Sequence, residues 1–297
     1  LPAADRAGTT LTMTLAFLGA GTAILFAGAT PALAQAMQVG DVYELAQSYQ
    51  TTETSSDGSK GSSSGRTALI ERVVGLRDGG VEVEYDLPPD ATPKDRAREW
   101  MLPAPVFKAA DGSRLLLNAA QLEARLDGWL KAAKSDRSAC GRWIFTWTAF
   151  RIECDPQAIL ARTAELDPAA QIVKEGATYS DPRAAQDGRI VQTGKAAFSV
   201  TVRVDPDKAR HERAETDVVV GEVSGKPVSL EAALRERAGE QVTGSITVTW
   251  ETDATGVARR RVKTTRTEIR REDGVTEEKT GTETVERRRV GLAVKGD

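Results

Sequence analysis

The sequence predicts an α+β fold: a long curved antiparallel β-sheet, open or half-barrel, with about three helices covering one face. Three observations predict it. The dipeptides Asp78-Gly79 and Asp273-Gly274 each join runs suited to strands, as hairpin turns do. Three other stretches carry apolar residues at helical spacing behind an Asn, Asp or Ser. The last fifty residues are rich in threonine and charge, which suits half-solvated strands and not a sandwich core.

The 297 residues allow one or two domains, and the formal charge of −3 argues against nucleic acid as a partner. Residues 11–29 form an almost unbroken apolar run, followed by Pro31 and small residues at Ala32, Ala34 and Ala36. This reads as a signal peptide, residues 1–34, cleaved before Gln35. Retained, the run would approach the roughly 20 residues that span a bilayer. Cleavage leaves no stable transmembrane anchor. Met13 is a candidate start, and no cysteine follows the run to carry a lipid. An exported chain with two cysteines points to an oxidising compartment, most simply the periplasm of a Gram-negative bacterium.

The mature chain divides into residues 35–176 and 195–297, with a loop-rich connector between them, and the two parts are compatible with one continuous sheet. Residues 39–55 read as a strand, 55–65 as a loose Ser/Gly tip, 66–76 as the returning strand, and 81–85 as a third beyond Asp78-Gly79. Asp95 to Trp100 forms a short helical turn, and Pro103 and Pro105 make an irregular link. Asn118-Ala-Ala-Gln121 resembles a capping box opening a helix to about Lys134, with Leu122, Leu126, Trp129 and Leu130 inward. Asp155-Pro156 starts a second helix and Ser229 a third. Residues 196–204, 216–223 and 244–251 read as strands. A two-residue turn at Asp273-Gly274 would place Arg270 opposite Glu277, Arg261 opposite Glu286 and Arg260 opposite Arg287.

Cys140 to Cys154 holds both cysteines, two of five Trp and two of six Phe. Trp143, Phe145 and Trp147 alternate onto one strand face, either core or the lining of a ligand groove. Bonded cysteines require Cα atoms about 4.4–6.8 Å apart. A Cys140–Cys154 bridge therefore demands a chain reversal near Trp147, making a clasped hairpin.

The residues supply little catalytic material. His211, the only histidine, sits in a charged segment, which leaves no ordinary zinc set and no Cys–His pair. Gly61-Ser-Ser-Ser-Gly65 has the letters of a nucleophile elbow in a polar tip, without the strand-to-helix context. Asp205-Pro-Asp207 lacks the rest of a calcium loop. No catalytic residue, metal ligand or cofactor is predicted. The triplets at 259–261 and 287–289 place Arg259, Arg261, Arg287 and Arg289 near one another, either as solvated strand faces balanced by Glu or as a patch for anionic headgroups.

The run Cys140–Pro156, with Asp217-Val-Val-Val-Gly-Glu222 and Thr282-Glu-Thr-Val-Glu286, resembles uncharacterised exported proteins of Gram-negative bacteria over most of the mature chain. No activity comes with that resemblance. The layout is also similar to the half-barrel lipoprotein carriers and receptors of LolA/LolB type, a likeness of architecture that implies a concave apolar face for acyl chains. The expected function is non-catalytic binding of an apolar or lipid-like ligand or an envelope protein. Strand pairing through exposed edges is the alternative, and a carboxylate-based hydrolase of envelope glycans the third.

Overall fold

The computed structural model describes residues 37–145, 149–170 and 173–292. Ten strands form one antiparallel sheet. In the first half of the chain lie β1 (Asp41–Ser55), β2 (Lys60–Arg77), β3 (Gly80–Asp86), β4 (Ala104–Lys108) and β5 (Arg114–Leu116). In the second lie β10 (Val191–Gly194), β11 (Ala197–Arg203), β12 (Gln241–Thr252), β13 (Ala258–Arg270) and β14 (Thr276–Leu292). The order across the sheet is β10-β11-β12-β13-β14-β1-β2-β3-β4-β5. The sheet is open, with β10 and β5 as its edges. Two small ribbons stand apart from it, β6 (Trp143–Phe145) with β7 (Ala149–Arg151) and β8 (Thr178–Tyr179) with β9 (Gly188–Arg189).

Among the described residues five α-helices accompany the sheet: α1 (Pro93–Arg98), α2 (Ala119–Ala132), α3 (Ala158–Glu165), α4 (Pro206–Val223) and α5 (Leu230–Glu236). The sequence predicted α2, α3 and α5, with α1 as a turn. Leu122, Leu126 and Leu130 of α2 recur at four-residue steps and are buried. Asn118 does not cap that helix with its side chain; its Nδ2 donates instead to the Pro103 carbonyl at 3.3 Å. Ser229 does cap α5, accepting from the Ala232 amide at 3.2 Å.

Four expectations are corrected. Residues 216–223 are the second half of α4, because Asp205 accepts from the Asp207 and Lys208 amides and Pro206 opens the helix. The Ser/Gly tip is tighter than expected, with β1 and β2 paired as far as Thr54 and Lys60. The Pro103–Pro105 link becomes the start of β4. The last hairpin is also shifted by one residue: Gly274 donates to Arg271 at 3.0 Å and has φ 85°, which makes a three-residue loop. Arg270 therefore faces Thr276, and Arg260 faces Glu286 and not Arg287.

Two apolar clusters lie on the sheet. One joins Leu45, Leu69, Val83, Tyr85 and Val106 to α2 and α3. The other joins Val200, Val202, Ile246, Val248 and Trp250 to Ile190 and Ala184. Between them the central strands β13, β14 and β1 carry mostly polar side chains, and that middle positions every candidate site.

Candidate binding sites on the central strands

The cysteine clasp forms as expected. Cys140 and Cys154 are bonded, with Cα atoms 5.6 Å apart. Phe145 pairs with Ala149 and Trp143 with Arg151, so the chain reverses between these paired strands. The aromatic face itself lies outside the described residues: Trp147 entirely, and Trp143 and Phe145 in their side chains. The backbone of β6 runs beside α4.

The arginines separate. Arg287 is buried and bonds Glu71 at 2.5 Å, with its guanidinium 3.8 Å over the Tyr43 ring. Glu71 is also paired with Lys108 and accepts from Tyr85 Oη at 2.8 Å. Asp167 sits between Lys108, at 3.1 Å, and Arg114, at 3.6 Å. Burial pushes the Glu71 carboxyl up, but Lys108 and Arg287 together outweigh it and hold Glu71 well below the usual carboxylate range. Burial also lowers Lys108, yet Glu71, Tyr85 and Asp167 raise it above the usual lysine value. Arg289 pairs with Asp41, Arg259 with Asp253 and Arg261 with Glu283 at 2.8 Å. Arg259, Arg287 and Arg289 line one cavity of about 360 Å³ with Arg288 and Tyr43, whereas Arg261 is not among its walls. The triplets thus meet at three of the four positions named from sequence, joined by Arg288, the middle of the second triplet.

A second space, of about 330 Å³, lies between α4 and the central strands. Its floor comes from Tyr49 and Thr51 of β1, Lys263, Thr265, Thr267 and Ile269 of β13, and Lys279 and Gly281 of β14. Ala209, Glu212, Arg213 and Thr216 of α4 form its roof. The sequence explains the gap. The only buried residues of α4 are Ala214 and Gly221, both small, and Gly221 backs onto the segment after the helix, where a Cβ would come within 2.7 Å of the Lys226 carbonyl oxygen. Ala209 packs against the second apolar cluster, and long ion pairs hold the rest of the helix: Arg213 bonds Glu240 at 3.0 Å and Glu277 at 3.0 Å, and Arg237 grips Asp217 through two 2.8 Å bonds. On the floor Gly281 adds no side chain, and a Cβ there would come no closer than 3.9 Å to Thr51 Oγ1. Lys279 is exposed and forms no ion pair among the described residues.

Sequence reasoning missed this groove because it missed α4. The Asp205-Pro206 start was a usable signal, but three consecutive valines at 218–220 favoured a strand. His211 lies on the exposed side of α4, 3.4 Å from Glu215. No cluster suited to a metal occurs among the described residues.

No family model matches the chain, and no curated protein does. Among solved structures, a lipovitellin determined for its lipid–protein interactions aligns at 11% identity and TM-score 0.33, over 87% of this chain and 26% of that one. The chain thus spans about a quarter of the length of that lipovitellin. The YwiB protein of Bacillus subtilis aligns at 10% identity and TM-score 0.14, over 84% of this chain and 96% of that one. A hot dog fold protein of Alicyclobacillus acidocaldarius aligns at 11% identity and TM-score 0.11, over 87% and 83%. Likenesses this low bear on neither fold nor ligand.

Proposed function

We propose that this is an exported, non-catalytic binding protein of the bacterial envelope that holds an amphipathic, lipid-like molecule in the groove beneath α4. The observation that carries the reading is a space of about 330 Å³ on the sheet, within the range of roughly 300–1,000 Å³ common for small-molecule sites. Its walls suit a molecule with two characters. Ile269, Ala209, Val204, the Tyr49 ring and the threonine methyls take an apolar chain, and Lys279 offers a cation to an anionic head.

The rival readings find less support. Strand addition needs a long free edge. The edge strands β5 and β10 are three and four residues long, and the Gln192 amide of β10 is already bonded by Glu175. A glycan hydrolase needs two carboxylates facing across a groove. Here Glu283 is engaged by Arg261, which leaves Glu212 without an ion pair among the described residues.

Titration of the delipidated protein with a fluorescent single-chain fatty acid tests the proposal. Saturable binding is expected. Gly281→Leu, which projects a side chain into the space, should weaken it at least about tenfold with an unchanged melting temperature. Lys279→Gln should weaken a charged probe about fivefold and an uncharged alcohol analogue little. No binding, or equal binding by wild type and Gly281→Leu, would remove the groove from the reading.

A further inference from the structure

Apolar residues and arginines gather on the outside at the end of the sheet where β1 begins. The pairing register skips Val290 between Val42 and Tyr43 of β1, and it skips Val74 between Val83 and Glu82 of β3. A residue left over by a bulge is re-aimed out of its ladder. These two valines, on the strands flanking β1, are 46% and 43% exposed. Val39, in the turn that leads into β1, is 58% exposed, and the next residue, Gly40, donates to the Val73 carbonyl at 2.9 Å. Three exposed valines therefore surround the entry of one strand.

The arginine-lined cavity opens at the same end. Its cations are paired with acids that lie deeper than they do. The Arg289 side chain is 52% exposed and its partner Asp41 1%; Arg288 is 73% exposed and its partner Glu44 16%. A guanidinium has five donors, so one carboxylate beneath it leaves N–H groups for a second anion outside. Valines at the level of outward arginines match the boundary of a bilayer, with apolar groups among the acyl carbons and cations at the phosphates.

We infer that this end of the sheet docks on an anionic lipid surface, with Val39, Val74 and Val290 resting in the interface and Arg259, Arg288 and Arg289 on lipid phosphates. The inference does not depend on the groove beneath α4.

Co-sedimentation of the exported chain, from Gln35 onward, with phosphatidylcholine vesicles, with and without phosphatidylglycerol, tests it. Wild type should favour the anionic vesicles, and salt should erase the preference. Arg288→Gln should weaken the anionic binding about fivefold and leave neutral binding unchanged. The double variant Val74→Ser, Val290→Ser keeps every ion pair, should keep its melting temperature, and should weaken binding to both vesicles. Gly281→Leu should bind vesicles as wild type does, which separates this surface from the groove. Equal affinity for both vesicles would overturn the inference. So would inorganic phosphate protecting the protein against heat as well as anionic vesicles do, since the site would then serve a free anion.

Discussion

Glu71 has no exposed surface, yet it is held as a carboxylate. Three groups make that possible, namely Arg287, Lys108 and Tyr85, each brought from a different strand. Replacing one member of such a set leaves the others buried without compensation, which typically costs about 3–5 kcal/mol. Glu71→Gln should lower unfolding free energy by that amount in urea, whereas exchanging Glu71 and Arg287 together for Leu and Met should cost less. The pH dependence follows from the direction of the shift. A carboxyl whose folded pKa lies below its ordinary value of 4.5 contributes stability in full above that value and loses it as pH falls toward the folded pKa. Wild type should therefore lose stability steeply below about pH 4.5, and Glu71→Gln should lose less over that interval, as followed by urea midpoints across an acid series. The sequence hid this centre. Its members are scattered from position 71 to 287, and nothing local marks Glu71 as different from the solvated glutamates around it.

At the scale of elements, two Asp-Gly turns show what was legible and what was not. At Asp78-Gly79 both residues have positive φ, 51° and 70°, and the two-residue hairpin expected from the letters is present. At Asp273-Gly274 only the glycine is positive, so Asp273 belongs to an ordinary turn and Glu272 joins the loop. The two dipeptides are identical, and charge matching across the ribbon favoured the wrong register. The real one sets Glu268 against Glu278 but pairs Arg260 with Glu286, an offset that composition alone does not reveal. The clasped hairpin was legible because geometry left it one solution. Its bridge closes a short loop, the cysteines being 14 positions apart in sequence, and for such a loop chain entropy gives roughly 3 kcal/mol. Cys140→Ser with Cys154→Ser should cost about 2–3 kcal/mol in denaturant unfolding, and its first effect should be loss of amide protection in β6 and β7.

At the scale of the molecule, alternating runs announced the antiparallel sheet, and helical spacing announced the helices over its first half. The groove beneath α4 was not announced, because it results from what that helix lacks. Its buried residues are small, and salt links hold the helix at its margins. A roof supported in this way should respond to ionic strength. In high salt α4 should exchange its amides faster while the two apolar clusters keep their protection, as read by native-state hydrogen exchange. Equal protection of α4 at low and high salt would show that apolar contact holds it instead.

The pairing of β1 with β14 joins residues 41–55 to residues 277–292, the first and last strands described. A ribosome delivering this polypeptide from its amino end therefore releases a sheet that lacks its middle until the other nine strands have emerged. Glu71 waits equally long for Arg287. Such long-range closure is slow, and it leaves the two halves of the sheet unjoined up to the moment at which β14 arrives and welds them.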